Sequence, residues 1–197
     1  MQILLLTACL LLNDGVNAQA PLTLDQNQPG TAHVSAGGRT LFTLQLMAPR
    51  EMGGGTIRDE AFVLGEMVVV IRGAHYPHDG QCVNPGGDQL ELFGRGGRSI
   101  VSKNPDHIAP AHGNRFAAPS GRWGVTLEEE AGRVYGFLLL EAQREPRYVQ
   151  IPELEWNGLG QQWFTPSGEL VLPNMVREGK RLSLIISPDG SFRFGAP

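Results

Sequence analysis

Apolar and polar positions alternate in brief runs separated by turn residues, which is the pattern of half-buried strands and not of helices. Phe42, Leu44 and Leu46 alternate with Leu41, Thr43 and Gln45, and Leu182, Leu184 and Ile186 alternate with Arg181, Ser183 and Ile185. Residues 67–71 and 135–140 are apolar on both parities, so they are expected as central strands covered on each face. Shorter strands are expected over 89–93, 99–102, 124–128, 169–172 and 191–194. Ser187-Pro188-Asp189-Gly190 lies between two such runs. Proline presets one dihedral there and glycine accepts a positive one, so the segment should close a C-terminal hairpin.

Twenty-six glycines and fourteen prolines interrupt nearly every window long enough for a helix. The expected fold is all-β: a β-sandwich of jelly-roll or immunoglobulin-like type over residues 21–145, with a C-terminal β extension over 146–197. The extension either packs on the sandwich or continues it. Pro146 marks the seam, after a segment (141–146) able to form a helical turn and before an extended stretch (148–152). Three stretches read as irregular: 49–57, 75–87 and 104–120. Long loops on a rigid sandwich are where binding is expected. Within the first, Gly53-Gly54-Gly55 lacks the Lys-Ser/Thr of a phosphate loop and reads as a flexible linker.

Residues 3–12 form an almost unbroken apolar run, and Val16-Asn17-Ala18 supplies small residues for cleavage, so 1–18 is expected to be a secretory signal peptide. The mature protein would start at Gln19 and reside in the periplasm or outside the cell. Met1-Gln2 departs from the usual pattern by lacking Lys or Arg, and Leu6-Thr7-Ala8-Cys9 has too short an apolar stretch before it to serve as a lipoprotein box. Without the leader only Cys82 remains, so no intrachain disulfide is available and packing alone must hold the fold. A chain of about 180 residues can bury a sufficient core. The net charge of -4 argues against nucleic acid or an anionic membrane as the main partner. No apolar run after residue 18 is long enough for a transmembrane helix, and the uneven strands do not read as an outer-membrane barrel.

Three pieces fall in a familiar order: Val34-Ser35-Ala36-Gly37-Gly38 leading into Leu41-Phe42-Thr43-Leu44, then Asp88-Gln89-Leu90-Glu91-Leu92-Phe93 with Gly96-Gly97, then Phe116-Ala117-Ala118-Pro119-Ser120-Gly121. Over residues of about 28–142 the chain resembles the bacterial pre-peptidase C-terminal domain and, more loosely, galactose-binding-like jelly rolls. The resemblance implies a sandwich accompanying secreted enzymes, with relatives that bind sugars, often through calcium. The family's acidic pair and paired tyrosines have no counterpart here, so it implies architecture and no site residue.

Four of the five histidines lie between residues 75 and 112, and His75, His78, Asp79 and Cys82 fall within eight residues. With His107 or His112 from a second segment, His75, His78 and Cys82 could supply nitrogen and thiolate donors to zinc or copper. Equally, His75 and His78 could flank Tyr76-Pro77 in a solvated turn, with Cys82 a small buried residue. Glu128-Glu129-Glu130 reads as a solvated turn, with calcium a minor alternative. Trp156, Trp163 and Phe164 sit in a Gly-rich stretch where flat rings could stack on sugars, or could pack the extension onto the sandwich. No Gly-x-Ser-x-Gly elbow is present.

The sequence thus points first to an exported, non-catalytic binding module that recognises a glycan or an envelope protein through its loops. A metal-binding protein or metal-dependent enzyme, and a structural subunit of a secretion or surface assembly, are the alternatives from other classes.

Overall fold

In the computed structural model, which describes residues 20–52, 54–77, 87, 89–156 and 161–197, the chain consists of antiparallel strands with one short helix. The leader assigned to 1–18 lies outside the described residues.

Three sheets form. The first has β1 (Leu22–Gln28), β2 (Thr31–Ala36) and β3 (Arg39–Gln45) in that order. The second runs β4 (Arg50–Met52), β5 (Gly55–Leu64), β6 (Met67–Pro77), β7 (Gln89–Phe93) and β8 (Ser99–Ser102). A helical turn, α1 (Pro105–Ile108), and a 3-10 turn (Ala109–His112) lead into the third sheet. It contains β9 (Arg115–Ala117), β10 (Trp123–Glu130), β11 (Arg133–Glu141), β12 (Arg147–Glu155), β13 (Trp163–Phe164), β14 (Leu170–Arg177), β15 (Lys180–Ile186) and β16 (Phe192–Gly195). Its order is β16-β15-β14-β12-β11-β10-β9, with β13 paired to β14.

Strands that are apolar on both parities organise the layers. In β6, Val68 and Val70 join Ala61 and Phe93 against Leu22, Ala32, Val34 and Leu44 of the first sheet, forming an outer core. The alternate residues Met67, Val69 and Ile71 join Leu90 and Leu92 against Leu138 and Leu140 of β11, with Ile108 and Ala111 of the helical turns, forming a middle core. The other parity of β11, Phe137 and Leu139, packs into a C-terminal core with Leu170, Leu172, Met175, Leu184 and Ile186. Both strands expected to be covered on each face are so covered, because β-branched and large aliphatic residues on both parities leave no face that water can wet.

The third sheet folds over itself to make that last core. Between β12 and β14 only Glu155 and Val176 pair, so the sheet bends there. Rings then meet across the bend: Phe137 edge-on to Phe192 at 6.5 Å, and Trp123 edge-on to Phe164 at 5.7 Å. Pro152 and Pro173, which cannot donate to a ladder, lie where the pairing of β12 and β14 slips. The architecture is therefore an all-β, sandwich-like stack, with more layers than the two expected. The segment 146–197 adds its strands to the sheet that contains β10 and β11.

Local expectations fare unevenly. The C-terminal hairpin forms, with β15 on β16, a Gly190 N–H to Ser187 C=O bond of 2.9 Å and Gly190 at φ +80°. Residues 49–57, expected to be irregular, instead form the β4–β5 hairpin, with Gly54 at φ +100° in its turn. Of the expected linker, Gly54 lies in a turn and Gly55 starts β5. Glu128-Glu129-Glu130, expected as a turn, finishes strand β10.

Gly113, directly after the 3-10 turn, passes so close to β10 that a Cβ there would lie 1.6 Å from the Leu127 carbonyl oxygen. Gly113→Ala should therefore cost about 3 kcal/mol, read as a fall in the urea midpoint. Gly96→Ala, where a Cβ meets open space, should shift stability by less than about 0.5 kcal/mol. Equal effects of the two would refute this account of the close approach.

Candidate functional site

A slip in the β5–β6 ladder builds the site. Arg58 pairs with Ala74 but Glu60 pairs with Ile71, so Arg72 and Gly73 together oppose Asp59. This is a β-bulge, with Gly73 at φ +66°. Before it the odd-numbered residues of β6 face the middle core, whereas after it Ala74 and Tyr76 do. One extra residue thus exchanges the faces of the strand.

Asp59 holds the bulge closed. Its Oδ1 accepts the Gly73 amide at 3.0 Å, and its Oδ2 accepts the Met47 amide at 2.9 Å and Arg72 at 2.6 Å. Arg72 also donates twice to Glu91, at 3.0 Å each, and to the Gln45 carbonyl at 2.7 Å. The Asp59 side chain is only 6% exposed, a burial that such a set of donors makes tolerable.

Glu60, the next residue, points to the opposite face, where Tyr76 donates its hydroxyl to the carboxylate. Arg115 of β9 donates to Oε1 at 2.7 Å, and the His112 Nδ1 faces Oε2 at 3.4 Å. The His112 imidazole, then Tyr76 and Arg115, outweigh burial and hold the Glu60 carboxyl well below the usual carboxylate range. Burial first, and then the bond to Glu60, push the Tyr76 hydroxyl up to about 12. Arg115 lies over the Phe62 ring at 3.5 Å and Arg58 over the Tyr76 ring at 4.5 Å, both within cation–π range.

Of these groups, Arg58, Asp59, Glu60, Tyr76 and His112 line a cleft of about 580 Å³. It forms because β4 pairs with β5 only as far as Ile57, leaving the edge of β5 beyond it to be covered by other chain. The 46–49 connection and Gln26 supply that cover, through Asp59 N–H to Met47 C=O at 3.3 Å and the Gln26 amide to Ala61 C=O at 2.9 Å. Gln28, Pro29, Gly30 and Thr31 of the β1–β2 hairpin form the facing wall. Asp59 and Glu60 each spend both carboxylate oxygens on internal donors. Arg58 is exposed and has no carboxylate partner among the described residues. The arrangement can hold and orient a polar molecule; among the described residues of the cleft lining, Asp59 is the one other acid beside Glu60, and its oxygens are taken up by internal donors.

The metal donors expected from sequence are not assembled among the described residues. His78 and Cys82 lie outside them. His75 sits on β6 beside Tyr76 and so points to the other face. His107 Nδ1 lies 2.7 Å from the buried Ser102 hydroxyl, beside the Asn104 side chain that accepts the Asp106 amide at 3.1 Å. It is thus tied to the start of the helical turn, while His112 faces Glu60. No group of three His, Cys, Asp or Glu among the described residues could hold zinc, copper or calcium.

The three aromatic residues also divide. Trp156 is 8% exposed and edge-on to Phe116 at 6.4 Å in the C-terminal core, and Phe164 packs on Trp123. Trp163, 49% exposed, is the one open ring of the three, so they form no common platform. The sequence reading missed Arg58, Asp59, Glu60 and Tyr76. A signal was present: two adjacent acids inside a run that alternates toward Phe62 and Leu64 demand buried partners if that run is a strand.

Glu60→Gln should cost about 2 kcal/mol at neutral pH, because Arg115 loses a charged acceptor. A depressed carboxyl stabilises the fold above its unfolded pKa and ceases to do so as acid protonates it, so the gap between wild type and variant in urea midpoint should narrow in acid. For Tyr76 the sign is opposite. Its stabilising contribution is full below about pH 10 and fades as pH climbs through about 12. Phenolate absorbance of wild type against Tyr76→Phe should place this one transition well above that of an unperturbed tyrosine; a transition at about pH 10 would contradict the hydrogen-bonded geometry.

No family model, curated protein or solved structure matches the chain, so the reading of this cleft rests on its own geometry.

Proposed function

We propose that the protein is an exported, non-catalytic binding module that recognises a glycan in the cleft beside Glu60. The observation that carries the reading is the internal satisfaction of both cleft carboxylates, which favours recognition over acid–base chemistry. The lining suits a sugar: Gln28 and Thr31 offer polar groups for hydroxyls, while Leu46, Met47 and Pro49 offer apolar surface for C–H faces. Its volume lies in the range of pockets that enclose most of a small ligand. The exposed large hydrophobic residues among those described, Leu41, Val101 and Trp163, stand on three different strands. Export follows from the apolar leader, and the resemblance to galactose-binding-like sandwiches points the same way.

A glycan array followed by calorimetric titration, including peptidoglycan fragments, tests this. Gln28 is exposed on the cleft wall, so Gln28→Trp should fill the cleft without disturbing a core and weaken binding by about tenfold or more. Trp163→Ala should leave affinity unchanged. A folded wild-type protein that binds no glycan, or a loss of binding in Trp163→Ala alone, would overturn the assignment.

A further inference from the structure

The charged residues that line the cleft, Arg58, Asp59 and Glu60, and those they contact are unevenly paired. Three arginines, Arg58, Arg72 and Arg115, surround three carboxylates, Asp59, Glu60 and Glu91. Two of the carboxylates converge on Arg72 and the third takes Arg115. Arg58 is left against the face of Tyr76, on the cleft wall and exposed.

We propose that Arg58 is an anchor for an acidic sugar, and that the cleft selects saccharides carrying a single negative group, a carboxylate above all, over neutral ones. This deepens the glycan reading and rests on it. The guanidinium is held in advance: it lies over a ring whose hydroxyl is fixed on Glu60, and Glu60 is fixed by Arg115. Less side-chain freedom is then lost when a ligand arrives, which favours affinity. A planar guanidinium also matches a carboxylate with two parallel hydrogen bonds, a geometry that an ammonium cannot reproduce. One unpaired cation answers one negative charge, whereas a phosphate monoester carries about 1.5 to 2 and would leave part of its charge unmatched. Gln28 and Thr31 face the same space and can bond hydroxyls of the ring that carries the acid.

The test uses the full chain and a panel of uronic-acid di- and trisaccharides, each beside its neutral methyl ester and a sulfated counterpart, followed by calorimetry. For at least one sugar, the acid should bind about tenfold or more tightly than its ester. Arg58→Gln should erase that difference by weakening the acid about tenfold or more relative to the ester. Arg58→Lys should restore only part of it, since a point charge keeps attraction and loses the paired geometry. Matching circular dichroism spectra would show that both variants are folded. Acid and ester binding equally, or an acid preference that survives in Arg58→Gln, would overturn this inference while the glycan reading stands. A preference for the sulfated form that Arg58→Gln abolishes would retain the anchor and reassign the acidic group. Failure of every sugar, acidic and neutral, to bind folded wild type would end both.

Discussion

A strand whose side chains are apolar on both parities is stable only between two other layers, and β6 and β11 are both of this kind. Placing them against each other across the middle core satisfies one face of each. The remaining faces then need covers, which the first sheet provides for β6 and the strands after the bend provide for β11. Number of layers, sheet order and the fold-back of the third sheet all follow from that requirement. The described residues include no cysteine, so among them the hydrophobic effect must supply most of the stabilisation.

The site arises where this scheme is locally broken. In a regular β6, Tyr76 would stand on the face away from the middle core, out of reach of Glu60 and His112. The bulge at Gly73 reverses the parity, and the Asp59 carboxylate binds the amide beside it. Polar groups that would otherwise disrupt a sheet edge are thereby gathered into one network, in which each makes another's burial tolerable. Tyr148 repeats the device at another part of the same core. Its hydroxyl donates to Glu128, and Gly136 leaves it room, since a Cβ there would lie 2.4 Å from the phenol oxygen.

What the sequence disclosed follows the same division. The fold class, the strands at 67–71 and 135–140 and the hairpin at 187–190 were legible because each is dictated by local period or turn chemistry. β1 and β5 were not, since Asp25, Gln26 and Asn27, or Arg58, Asp59 and Glu60, interrupt the apolar alternation, and Gln26, Asp59 and Glu60 find partners far along the chain. Asp59 meets Arg72, and Glu60 meets Arg115, only after folding. Of the histidine cluster, His78 and Cys82 lie outside the described residues, while His107 and His112 have separate partners in Ser102 and Glu60, which closeness in sequence does not reveal. A Gly-rich neighbourhood likewise left open whether Trp156 stacks or packs, because its cover comes from the far side of a bent sheet.

That bend also fixes an order of assembly. The inner face of β10 and β11, with Val125, Leu127, Phe137 and Leu139, is sealed largely by residues 170–186, which the ribosome adds later. Until they emerge, a broad oily surface stays open to water and to any passing nonpolar chain. The protein therefore cannot finish itself progressively from its beginning, and a polypeptide that stopped before residue 170 would be sticky as well as incomplete.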